Sequence, residues 1–285
     1  MGALLALASA VCYGVVDFAG GLLSRRIHFA VVTFLGQVGG LFLALPLALL
    51  VPAERVGTAD LLWGALSGVG SGGAMHFLNR GLSRGAMSVV VPVSAVTGVA
   101  LSVLCGVCFL GDRPTVPAWS GIVLAVPALW LVSGGTGRRA GAARNAAGGA
   151  GRASTDGLIA SAGVAVQYIG LAQADPASGL WAVFAGRVAA VLVLLPGTWR
   201  HAARFRQQPR LLGEAVLIGA GAALGLSLYL WATRQQMLAV AVVLASLYPA
   251  IPTILGLAVL HERLTRAQAT GLLGATAATL LLTLG

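Results

Sequence analysis

Apolar residues run through this chain in blocks of roughly twenty, parted by short polar clusters, and no strand-like alternation interrupts them. A helix crossing a hydrocarbon core of about 30 Å needs a run of this length. Ten such spans are read, over 2–23, 30–51, 59–78, 87–109, 116–133, 157–173, 178–196, 211–231, 238–260 and 267–284. The missing alternation excludes a β-barrel. The expected fold class is therefore an all-α membrane protein of ten transmembrane helices. No basic region and no small-residue cleavage site accompany the first block, which reads as a membrane helix rather than a signal peptide.

The polar punctuation repeats. The run from Leu238 to Leu273, broken by Tyr248-Pro249 and Pro252 and followed through His261-Glu262-Arg263, overlays Ser88 to Val123 at an offset of 150 residues without a gap. Val90 falls on Val240, Gly106 on Gly256, Leu110 on Leu260, Arg113 on Arg263 and Gly121 on Gly271, and Asp112 meets Glu262. The register extends to Val16 on Val166, Gly20 on Gly170, Pro46 on Pro196 and Arg84 on Arg234. Two copies of one unit follow, over 1–133 and 156–285, with 134–155, rich in Gly, Ala and Arg, as a linker. Each unit holds five spans, an odd number. If both keep one internal arrangement, the second enters the membrane from the opposite side, as an inverted 5+5 repeat around a central cavity.

Composition narrows the class. With 58% hydrophobic and 9% charged residues and a mean hydropathy of +0.91, the chain cannot coat a soluble surface. A net charge of +10 would suggest nucleic acid in a soluble protein, but here all 18 basic residues are arginines and most lie between spans. The connections following odd-numbered spans hold 14 of them and the others 3, with Arg187 left inside a span. The positive-inside rule makes the arginine-rich connections cytoplasmic and directs both termini outward. Without lysine the chain has no Gly-Lys-Ser/Thr phosphate loop, so direct use of ATP is not expected. The three cysteines, Cys12, Cys105 and Cys108, lie in apolar runs and define neither a disulfide framework nor a metal site.

Particular residues also carry a resemblance. The run from Met87 through Pro92 to Leu110-Gly111-Asp112-Arg113-Pro114, with its copy ending Leu260-His261-Glu262-Arg263-Leu264-Thr265, resembles the repeated half of EamA-type transporters in the drug/metabolite transporter superfamily. Tyr13-Gly14, Asp17-Phe18 and Ser24-Arg25-Arg26 are similar to the first helix of a bacterial branch of that family. The resemblance implies a basket of helices around a cavity lined mainly by spans 1, 3, 4, 6, 8 and 9. It also implies alternating access, export of amino acids, metabolites or drug-like compounds, and a bacterial cytoplasmic (inner) membrane location. The family usually has Glu where this chain has Asp112, and is usually drawn with cytoplasmic termini, opposite to the arginine bias.

Polar groups inside spans are costly and are the functional candidates. Asp17 is the acid well inside a span, with Tyr13 one helical turn earlier on the same face. It is expected to bind a substrate amine, accept a proton, or pair with a cation such as Arg187. Asp17 occupies the repeat position of Gln167, and Gln37 that of Arg187, a candidate for an anionic substrate group. Tyr168, Tyr229, Ser246 and Tyr248 complete the expected binding or coupling set, together with His76 near the end of span 3 beside Asn79. Gly64, Gly68 and Gly72, and Gly221 with Gly225, are expected to allow close helix packing. Pro92, Pro249 and Pro252 are expected to kink spans 4 and 9. Asp112 and Glu262 are expected to cap the helices that follow them. No catalytic residue, cofactor or metal is assigned, and the partners are a small solute and membrane lipid, with self-association open and no nucleic acid. A lipid or lipid-linked sugar flippase on the same fold is the alternative. An intramembrane hydrolase would need Ser67 or Ser71 with His76, which diverge around the helix.

Overall fold

The computed structural model describes residues 2–105, 107–108, 115–132, 144–200, 202–235, 244–245 and 247–284, with backbone alone at 102, 103, 144–151, 233, 234 and 283. Among the described residues there are ten α-helices and no strand. They are α1 (Gly2–Arg26), α2 (Phe29–Leu50), α3 (Thr58–Leu82), α4 (Met87–Cys105), α5 (Val116–Val132), α6 (Arg144–Gln173), α7 (Trp181–Arg200), α8 (Pro209–Gln235), α9 (Ala250–Ala258) and α10 (Arg266–Leu284). Four of them, α1, α2, α7 and α8, contain stretches long and apolar enough to cross a membrane by length and composition.

Local chemistry sets the helix ends. His28 Nδ1 accepts the Ala30 amide at the start of α2 at 3.3 Å. At the start of α3, Asp60 Oδ2 accepts the Gly57 amide at 2.9 Å. Thr265 and Gln268 form a reciprocal cap on α10, with backbone-to-side-chain bonds of 3.0 and 3.2 Å. Pro92 lies inside an uninterrupted α4, whereas Pro249 and Pro252 fall before and within the first turn of α9, where a missing N–H costs no helical bond. The expected linker is helical from Arg144 onward. Alanine favours helix, and Ala153 is buried against Leu82, Met87 and Val90, which ties this extension to the bundle.

Glycines decide which helices touch. Gly64, Gly68 and Gly72 of α3 meet Ala182, Gly186 and Ala190 of α7 in order, so the two run parallel with backbones in contact. Gly163 and Gly170 of α6 meet Gly70–Ala74 and Trp63–Ser67 of α3, an antiparallel pair. α8 stands to α1 and α2 as α3 stands to α6 and α7. Gly221 faces Val16 and Gly225 faces Tyr13, antiparallel to α1, and Gly219 meets Gly36 of α2 backbone to backbone. Val31 and Val32 at the start of α2 pack with Leu211 and Ala215 at the start of α8, and Ala48 near its end with Leu226, so this pair is parallel. Finally, Gly121 of α5 meets Ala278 and Leu282 of α10, while Gly271 of α10 meets Ala128 and Val132 of α5.

The connections gather at two ends. Residues 51–57 and 174–180 interlock, with Glu54 and Arg55 amides donating to Ala177 O at 3.0 and 3.3 Å and Arg55 paired with Asp175 at 3.0 Å. At the other end Arg25 donates to Leu82 O and Gly85 O at 3.2 and 2.9 Å and pairs with Glu262 at 3.4 Å. Asp156, ahead of span 6, pairs there with Arg80 and Arg84, each at 3.5 Å. Phe205, between α7 and α8, packs against the Leu23–Ile27 cluster at this same end. The arginine-rich connections thus share one end of the bundle.

Candidate functional site

Asp17 lies mid-helix on α1 and is 8% exposed. No hydrogen bond or ion pair joins it to another described residue. Its surroundings are aromatic. The Tyr13 and Tyr248 rings lie 6.0 Å apart between centroids and tilted by 55°. This approach is possible because residue 14 is glycine: a Cβ there would stand 2.9 Å from Tyr248 O and collide with Ile251. Gly225 gives Tyr13 its place on the other side, where a Cβ would lie 3.1 Å from the ring.

Tyr168 on α6 is within electrostatic reach of Asp17, Tyr13, Tyr229 and Tyr248, and Tyr248 is within reach of Asp17 as well. The chain has only four tyrosines. Three of them, Tyr13 of α1, Tyr168 of α6 and Tyr248 in the turn before α9, converge about one carboxyl group, and Tyr229 of α8 is linked to it through Tyr168. Tyr168 stands at the outer edge of this aromatic wall, 42% exposed. A carboxylate among phenol rings offers a charge for a cation, ring faces for cation–π contact, and hydroxyls for orientation.

A second polar centre stands beside the first. Arg187 on α7, 7% exposed, donates from Nη1 to Gln37 Oε1 on α2 at 2.8 Å. The cation expected to pair with Asp17 is therefore engaged by a neutral amide, and Arg187 is instead within electrostatic reach of Tyr13. Next to Arg187 is a cavity of about 20 Å³ lined by Ser67, Ser71, Gln167 and Leu226, among others. Its walls come from α3, α6, α7 and α8, so α7 contributes where the resemblance had not placed it.

The structure does not bring every expected residue to these centres. His76 packs with the rings of Phe29 and Phe77, at 5.1 and 5.4 Å between centroids. Asn79 donates to Thr33 Oγ1 at 3.0 Å, a link between α2 and α3. Ser67 and Ser71 face the Arg187 cavity rather than His76, which leaves the hydrolase pairing without geometry. Ser246 and Asp112 lie outside the described residues.

Glu262 caps a helix, but not the one that follows it. Its carboxylate accepts the Met87 and Ser88 amides at 2.9 and 3.0 Å and the Ser88 hydroxyl at 2.7 Å, at the N-terminus of α4. The orphan amides of α4 and the positive end of its dipole draw the acid there, while Thr265 and Gln268 already cap α10. Sequence reasoning missed the buried Asp156, whose partners are the two arginines spaced four apart at the end of α3.

A family model described as the EamA-like transporter family matches the chain twice, over residues 1–134 and 153–284. No curated protein matches the sequence.

Proposed function

Because the chain belongs to the EamA-like transporter family and is a multi-pass membrane protein, we propose that it is a secondary transporter that exports a small organic solute by alternating access between two inverted five-helix halves. The observation that carries this reading is the convergence of Tyr13, Tyr168 and Tyr248, from three separate segments, on Asp17. Asp17 is the partner of a substrate amine or the acceptor of a coupled proton, and Tyr13, Tyr168, Tyr229 and Tyr248 form the surface against which the solute lies. Gln167 and the Gln37–Arg187 pair form a second polar centre beside this surface. An intramembrane acid with no partner among the described residues is costly unless a proton, a ligand or water meets it, and a transport site provides each in turn.

The packing supports alternating access. Exchanging the halves turns the α3·α6 contact into α8·α1 and the α3·α7 contact into α8·α2. The two equivalent outer helices, α5 and α10, run antiparallel, as inversion requires. Two halves that pack in the same way from opposite sides have two related arrangements, one open to each face.

Purified protein can be tested for ligands by thermal unfolding against a panel of amines, amino acids and organic acids. A stabilising solute should lose its effect in both Asp17→Asn and Tyr168→Ala, with both variants melting near the wild type when no solute is added. A stabilising solute indifferent to both substitutions would place the site elsewhere.

A further inference from the structure

Arg187 carries a charge that no described acid meets. It is 7% exposed, and its one described hydrogen bond goes to the neutral Gln37. The chain has eight acids. Asp156, Asp175, Glu214 and Glu262 are paired with Arg80 and Arg84, Arg55, Arg210 and Arg25. Asp60 is held by the Gly57 and Asp175 amides at the start of α3. Glu54 lies in the 51–57 connection, Asp112 in the α4–α5 connection outside the described residues, and Asp17 makes no ion pair with Arg187. A guanidinium kept ionised in a membrane interior needs a counter-charge.

The space beside it is built for one. The glycine contacts of α3 with α7 set Ser67 and Ser71, four residues apart on one face of α3, against the Arg187 helix. Both serines are buried, at 4% and 7% exposure, and with Gln167 they supply the polar lining of the cavity besides Arg187. Hydroxyls, an amide and a guanidinium can all direct N–H or O–H donors inward, and no carboxylate lines the space. A volume of about 20 Å³ has room for one or two water-sized particles, the size of a halide ion.

We propose that this cavity is a binding site for a monovalent inorganic anion of halide size, chloride under physiological conditions, which neutralises Arg187 inside the membrane. A bound water would satisfy hydrogen bonds but leave the charge. The inference does not depend on which solute the tyrosine site carries, so its failure would leave the transport reading intact.

The test is thermal unfolding of the full-length protein in detergent at constant ionic strength, with gluconate replaced stepwise by chloride, bromide or formate. Chloride and bromide should raise the melting temperature saturably over gluconate. Arg187→Gln should abolish that dependence, and Ser71→Ala should weaken the half-saturating concentration several-fold. Equal melting in chloride and gluconate would overturn the proposal, as would an undiminished chloride effect in Arg187→Gln. Should Arg187→Gln fail to fold, Ser67→Ala/Ser71→Ala decides, because unchanged chloride affinity there excludes the cavity. Formate binding more tightly than chloride would assign the cavity to a carboxylate and overturn the halide.

Discussion

Gln37 and Arg187 hydrogen-bond to each other at 2.8 Å and stand 150 residues apart, the offset at which the two halves of the sequence overlay. Contact between equivalent residues is what an axis relating the two halves would produce. The same relation recurs at the outer helices: Gly121 meets Ala278 and Leu282, and Gly271 meets Ala128 and Val132, each residue again 150 from its counterpart.

Removing the amide from this pair should cost stability, because a buried guanidinium would lose its one described partner. Gln37→Leu should lower stability by about 1–3 kcal/mol, read by thermal unfolding in detergent. Gln37→Glu supplies an acid within reach and should melt no lower than the wild type. A Gln37→Leu variant as stable as the wild type would show that the bond contributes nothing.

Helix contact through glycine predicts a position-specific cost. A Cβ at Gly68 or Gly219 would overlap the backbone of Gly186 or Gly36, whereas one at Gly73 would meet nothing within 4 Å. Gly68→Ala and Gly219→Ala should each destabilise by about 1–3 kcal/mol through forced separation of the helices. Gly73→Ala should be neutral or slightly stabilising, since alanine favours helix. Equal melting temperatures for all three would contradict the packing described.

Glu262 holds the first turn of α4, so Glu262→Ala should cost about 1–2 kcal/mol, the usual range for a lost N-cap. Amide exchange at Met87 and Ser88 should accelerate in the same variant. Arg25 reaches Glu262 at only 3.4 Å with its side chain 31% exposed, so loss of that ion pair should matter less. Unchanged exchange at Met87 and Ser88 would remove Glu262 from the cap.

Sidedness follows from the arginine-rich end. In a chain with Cys12, Cys105 and Cys108 replaced, a cysteine at Ala203 should resist a membrane-impermeant thiol reagent in intact cells, and one at Ala53 should react. The reverse labelling would invert the orientation while leaving the fold untouched.

Much of the fold was legible because it depends on period and offset. Helical spans follow from apolar run length, and the Gly64, Gly68 and Gly72 stripe announces a close contact before its partner, α7, is known. Long-range choices were not legible. Nothing local to Glu262 says that its carboxylate crosses to α4, and Asp156 reads as a linker residue until Arg80 and Arg84 are folded onto it. That α6 begins as early as Arg144 was not legible, because the glycines there suggest flexibility, while burial of Ala153 favours helix. At the site, Tyr13 and Asp17 were visible as one face of one helix. The gathering of Tyr168 and Tyr248 around them depends on two other segments, and Arg187 chose its repeat equivalent over the acid that charge alone would have paired with it.

The central claim is that Asp17 serves solute movement rather than packing. Cells producing the wild-type protein should be compared with cells producing Asp17→Asn at equal membrane levels, and the small organic solutes in cells and medium measured over a range of external pH. At least one solute should redistribute across the membrane with the wild type, and with Asp17→Asn it should not, or should do so without dependence on pH. Identical, pH-dependent solute distributions in the two strains would contradict that claim.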